Sequence, residues 1–169
     1  MLLAGCFVDR PLPQLVRAGV ELRKAEAFEA PASDGATVVV APGDFVLSGD
    51  GMRVVIGGMR RDPESQGAVL EASLEGVAAV ESIVLLAPRV YVNGVARSVR
   101  VERMFMVERF AAPVLRVEGV VVLSDRVIQI ARELSLGRTE GTLSVSTRLV
   151  TFEPAGEKDA LRHVGEPRR

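Results

Sequence analysis

The chain has 169 residues, 48 % apolar but only 4 % aromatic, and its 21 basic side chains against 22 acidic ones leave a formal charge of −1. That balance argues against a wholesale electrostatic grip on nucleic acid, and no apolar run approaches the roughly 18–20 residues a membrane-spanning helix needs. One histidine (His163), one cysteine (Cys6), one tyrosine (Tyr91) and no tryptophan leave little of the usual equipment for proton shuttling, nucleophilic attack or metal binding.

What the composition offers instead is valine and arginine. Valine supplies 28 residues; its branched Cβ is stiff and packs well on a pleated surface, so the excess favours strands. Arginine outnumbers lysine 19 to 2, and thermolabile Asn, Gln and Cys are scarce, a thermophile-like composition that a GC-rich genome also produces. Mean hydropathy is +0.25. Apolar excess without a membrane span predicts a buried partner surface, hence a homo-oligomer or a complex subunit. A single cysteine excludes internal disulfides and suits a reducing, cytoplasmic setting.

Along the chain, Leu3-Ala4-Gly5-Cys6 resembles the lipobox of bacterial lipoproteins, but only Met1 and Leu2 precede it. A first strand over Leu2–Val8 with Cys6 in the core is the favoured reading, and a start further upstream would revive the lipobox. Leu12–Phe28 fits either a short helix ending at Gly19 followed by a strand or one longer helix. From Thr37 the turn chemistry is explicit: a strand to Val40, a turn at Ala41-Pro42-Gly43-Asp44, a strand to Leu47, a tight turn at Ser48-Gly49-Asp50-Gly51, and a strand over Met52–Ile56. Asp62-Pro63-Glu64 makes a good helix start, and Leu70, Leu74 and Val77 form a helical stripe. Over Ala68–Val80, however, Leu70, Ala72, Leu74, Ala78 and Val80 alternate with Glu71, Ser73 and Glu75, and a strand is preferred.

Val92-Asn93-Gly94-Val95 is the strongest hairpin signal, because both central residues of its turn need positive φ. It predicts that Ile83–Val92 pairs with Val95–Phe110. Val114–Leu123 is a further strand, interrupted or bulged near Gly119. Ser124 then caps an expected amphipathic helix over about 125–136, with Val127, Ile130, Ala131 and Leu134 on one face and Gly137 as the stop. A last strand, Thr142–Phe152, points Leu143, Val145 and Leu149 inward and Ser144, Ser146 and Arg148 outward. The expected fold is therefore mainly β with one or two helices: an antiparallel sheet, sandwich or partly closed barrel packed by the helix, in one domain over 1–153, with a polar tail over 154–169.

Candidate chemistry is thin. His163 falls in the tail. No phosphate-binding loop or zinc ligand set is present, and no cofactor is implied. Lys24 would be a candidate Schiff-base lysine only if buried, and a surface position is expected. The acids read as solvated faces (Glu71 with Glu75, Glu102 with Glu108) or as turn residues (Asp44, Asp50). One constellation stands out: Arg89, Tyr91, Arg97, Arg100, Arg103, Phe105, Arg109 and Phe110, several arginines and three of only seven aromatics, around the second hairpin. Arg103, Phe105 and Arg109 share one strand parity, and Arg100 lies on the other unless a bulge near Arg103 intervenes. Such a surface serves protein interfaces, an ordinary ion-paired face, or single-stranded nucleic acid through guanidinium–phosphate contacts and base stacking. The leading expectation is a non-catalytic interaction or assembly module acting through an apolar, Arg-aromatic sheet surface. A single-stranded nucleic-acid binder using the 89–110 hairpin is the alternative. A small-ligand barrel or carboxylate-dependent enzyme comes third, and it requires acidic or Arg side chains inside the sheet.

Overall fold

The computed structural model describes residues 19–31, 38–75, 77–81, 88–109, 112–137 and 141–152. The expected strand Leu2–Val8 with Cys6, residues 12–18, Phe110, His163 and the 154–169 tail lie outside them.

Every element in the described residues is a strand, and all pairing is antiparallel. A five-stranded sheet runs in chain order through β1 (Glu21–Lys24), β2 (Phe45–Gly49), β3 (Met52–Ile56), β4 (Val69–Leu74) and β5 (Val77–Glu81). β6 (Arg89–Val92) and β7 (Val95–Ser98) form a separate hairpin. β8 (Arg100–Arg109), β9 (Ala112–Val122), β10 (Val127–Leu136) and β11 (Leu143–Phe152) make a four-stranded meander ordered β11-β10-β9-β8.

The turns follow from local chemistry. Asn93 (φ 50°) and Gly94 (φ 79°) close β6–β7, and Asp50 (φ 51°) and Gly51 (φ 71°) close β2–β3, as the primed two-residue turns demand. At Pro42-Gly43 the proline presets the first corner, and glycine takes the second at φ 100°. The Asp44 amide donates to the Ala41 carbonyl at 3.0 Å.

The two larger sheets face each other across one apolar core. Phe45, Leu47, Val54, Ile56 and Val69 from the first meet Val101, Leu115, Val117, Leu134 and Leu136 from the second. At the other end of the four-stranded sheet the β6–β7 hairpin takes over: Val90 and Val99 pack on Val121, Ile128 and Ile130. The inner face of β9 and β10 is thus covered along its length, first by a sheet and then by a hairpin, while Met106 on β8 and Leu149 on β11 stay half-exposed. The sheets stay open and do not close into a barrel.

Several expectations need correction. The amphipathic helix over 125–136 is instead strand β10, paired on both sides with β9 and β11. Ile128, Ile130, Leu134 and Leu136 also satisfy a period of two, and β-branched residues with two neighbouring strands on offer prefer the sheet. Ala68–Val80 is not one strand but a hairpin, β4 and β5. Asp62-Pro63-Glu64 begins only a turn: the Asp62 carboxylate accepts from the Glu64 and Ser65 amides at 3.1 Å, and Gly67 (φ 69°) ends it. The strand expected before Val40 reduces to a single bridge, Glu29 to Val40. The β6–β7 hairpin stops at Ser98, and Arg100–Arg109 turns away to pair with β9.

Candidate interaction surface

The four-stranded sheet has one covered face and one open face. Residues opposite one another in an antiparallel ladder share a face, so the register assigns the open one. β8 contributes Arg103, Phe105, Val107 and Arg109; β9 contributes Val114, Arg116, Glu118, Val120 and Val122. β10 adds Val127, Gln129, Ala131, Glu133 and Ser135, and β11 adds Ser144, Ser146, Arg148, Val150 and Phe152.

A bulge decides where the arginines go. Between Val101 and Arg103 the register shifts by one residue, with Glu102 as the extra one. Val101 and Met104 therefore both reach the core, while Arg100 joins Arg103, Phe105 and Arg109 on the open side, where Arg100 Nη2 meets the Glu102 carboxylate at 3.0 Å. Gly119, opposite Val101, permits the bulge: a Cβ there would lie 2.5 Å from the Arg100 carbonyl oxygen.

Across this face the charges interlock. Arg103 Nε donates to Glu118, and the Arg103 guanidinium lies 5.5 Å from the Phe105 ring centroid. Arg116 Nε donates to Glu118 at 2.7 Å, and Arg116 Nη1 reaches Glu133 at 3.2 Å. Arg109 Nη2 meets Glu133 at 2.7 Å. Burial alone would raise the Glu118 carboxyl pKa, but its hydrogen bonds from Arg116 and Arg103 outweigh this and hold it below the ordinary glutamate value. A shallow hollow of about 290 Å³ lies in the lattice, lined among others by Arg103, Arg116, Glu118, Gln129, Arg148 and Val150.

The other end of the same face is apolar. Val122, Val127 and Phe152 stand side by side across β9, β10 and β11, with Val120, Gln129 and Val150 in the next row. Val122 is 65 % exposed and Phe152 49 %.

The structure thus divides the constellation around the second hairpin. Arg100, Arg103, Phe105 and Arg109 share the open sheet face. Arg89 and Tyr91 alternate with Val90, which is buried in the second core cluster; Arg97, although opposite Val90, is exposed. Arg116, Glu118, Glu133, Val122 and Phe152 were not singled out from sequence. Their place depends on the β9–β10–β11 register, which the helical reading of 125–136 concealed.

The other polar groups have local duties. Asp44 is 2 % exposed and accepts from the Ala41 and Gly58 amides at 2.8 and 2.9 Å and from Arg61 Nη2 at 2.6 Å. Burial pushes its carboxyl pKa up, but Arg61 and the two amides prevail and hold it below the usual aspartate value. Glu71, expected on a solvated face, is fully buried and bound by Arg53 Nη1 at 2.8 Å; it lies opposite Val55 on the outer face of the first sheet, where Val46 and Val55 pack with Ala25 and Val40. Lys24 is exposed, 5.9 Å from the Phe45 ring centroid, at the edge of a cleft of about 450 Å³ that Met59, Arg60 and Met104 also line. No helix among the described residues is long and apolar enough to cross a membrane.

No protein-family model matches the chain, and neither does any curated protein or solved structure.

Proposed function

We propose that this protein is a non-catalytic interaction and assembly module whose docking surface is the open face of the β8–β11 sheet. The observation that carries the reading is an apolar row, exposed Val122 and Phe152 with half-buried Val127 between them, beside an ion-paired lattice on one face. An exposed apolar patch bordered by polar, hydrogen-bonding side chains is what protein interfaces offer. The lattice supplies register: paired charges reward one docking orientation and penalise others. The partner in this reading is a further copy of this chain, and the single cysteine fits a reducing cytoplasmic setting.

Single-stranded nucleic acid is the second reading, favoured by the stacking of Arg103 on Phe105. Against it, Arg100, Arg103, Arg109 and Arg116 each already hold a glutamate, so phosphate would have to displace a carboxylate at every contact. The third reading has an inward-facing arginine, Arg132, opposite Val117 on the covered face of β10, but it shares that face with Ile, Leu and Val, and the buried carboxylates Asp44 and Glu71 are already held by Arg61 and Arg53. Light scattering on a concentration series tests the proposal together with Val122→Lys. Association that weakens in the variant supports it; a wild-type chain that stays monomeric at all concentrations overturns it. Anisotropy with labelled oligonucleotides at low salt tests the alternative, because the phosphate contribution is strongest there.

A further inference from the structure

The two edges of the four-stranded sheet are treated differently. β8 and β11 are both ten residues long and each pairs on one side only among the described residues. β8 carries the devices that keep an edge from pairing: a bulge and five charged residues, Arg100, Glu102, Arg103, Glu108 and Arg109. β1, at one edge of the other sheet, is four residues long with three charges, Glu21, Arg23 and Lys24. β11 has none of these protections. Its register with β10 is unbroken, it contains neither proline nor glycine, and Arg148 is its one charge. It is exposed over most of its length, including Leu149 at 52 %. A long, regular edge with a single charge is a template for another strand.

We infer that β11 pairs antiparallel with β11 of a second copy, joining two four-stranded sheets into one continuous sheet of eight. Two-fold symmetry is the commonest closed arrangement for a homodimer; with its axis perpendicular to the sheet, antiparallel edges meet and the open face stays open in both copies. Facing residues must then share parity, so the axis passes through a residue. An axis on Arg148 sets two guanidinium groups directly opposite each other, which is repulsive. An axis on Ser146 or Leu149 shortens the ladder. An axis on Thr147 uses the strand from Leu143 to Thr151: Thr147 faces Thr147, Arg148 faces Ser146, Val150 faces Ser144, and Leu149 faces Val145. The last pairing covers the exposed Leu149 with a residue that already packs on the core. This inference rests on the edge and is separate from the open-face reading, which uses Val122 and the ion lattice.

Cross-linking tests the register. In a Cys6→Ala background, Thr147→Cys places two thiols across the axis at a Cα separation of about 4.5–5.5 Å, inside the range a disulfide bridges. Ser144→Cys, equally exposed, faces Val150 and does not meet itself. Mild oxidation is expected to link Thr147→Cys chains and leave Ser144→Cys chains single; equal linking of both, or none in Thr147→Cys, overturns the register. Light scattering on Leu149→Lys and Val122→Lys separates this surface from the open face. If Leu149→Lys dissociates the dimer, the edge is the interface; if only Val122→Lys does so, the edge pairing is wrong and the open-face reading stands. A wild-type monomer contradicts both.

Discussion

Replacing Asp44 with alanine removes the acceptor that three donors share: the Ala41 amide, the Gly58 amide and the Arg61 guanidinium. The carboxylate ties the Pro42-Gly43 turn to the chain leaving β3, while Arg61 also donates to the Val39 carbonyl at 2.7 Å. Deleting one partner of a buried ion pair costs about 3–5 kcal/mol, because the other charge is left uncompensated. Arg61 retains 29 % side-chain exposure and regains water when its partner goes, which places the expected loss near the lower bound, about 3 kcal/mol. Two orphaned amides at roughly 1 kcal/mol each keep it from falling much further. In a domain whose total stability is about 5–15 kcal/mol, such a loss moves a urea midpoint far enough to read with confidence.

The pH dependence of that difference has a defined sign. The folded-state pKa of Asp44 is depressed, so its contribution is fully present above the unfolded value near ~3.9. It is lost as the pH falls from there through the folded value. Urea titrations of wild type and Asp44→Ala should therefore differ by a constant amount between pH 7 and about 5, and converge in more acidic solution. A difference below about 1 kcal/mol at pH 7, or one that grows on acidification, refutes the role assigned to this carboxylate.

Further outcomes follow from the same geometry. Leu134→Ala, at a fully buried position between the sheets, should cost about 2–5 kcal/mol in denaturant unfolding. Gly58→Ala should cost at least about 2 kcal/mol, since its Cβ would sit 1.9 Å from the Gly43 carbonyl oxygen. Gly94→Ala meets nothing within 4 Å and should cost only the roughly 1–2 kcal/mol of a left-handed backbone, read by the same unfolding assay. Glu118→Gln loosens Arg103 and Arg116 together; because Arg103 is largely exposed, the expected thermal destabilisation is at most about 1 kcal/mol and shrinks with added salt.

Much of this fold was legible wherever the deciding chemistry is local. Asn93-Gly94, Asp50-Gly51 and Pro42-Gly43 each state a turn in two residues, and the backbone angles agree. The alternation along β11 gives the right parity, and Leu143 and Val145 reach the core while Leu149, on the same side, stays exposed; for 68–80 the period of two prevails over the helical stripe. The bulge near Arg103 was legible as a condition: without it the arginines of β8 divide between two faces. What misled the reading was long-range. Val127, Ile130 and Leu134 satisfy periods of 3.6 and of 2 alike, and only the flanking strands β9 and β11 decide between them. Glu71 alternates as a solvent-facing residue should, yet a second layer of side chains covers that face. The open face was half visible, as arginines and Phe105; its glutamate partners and the Val122–Phe152 row needed the cross-strand register.

Self-assembly is read most directly from the mass of the wild-type chain in solution, by light scattering or sedimentation equilibrium over a broad concentration range. A module built for assembly should approach at least twice its 18.1 kDa chain mass as concentration rises. A single species of 18.1 kDa throughout would contradict the account.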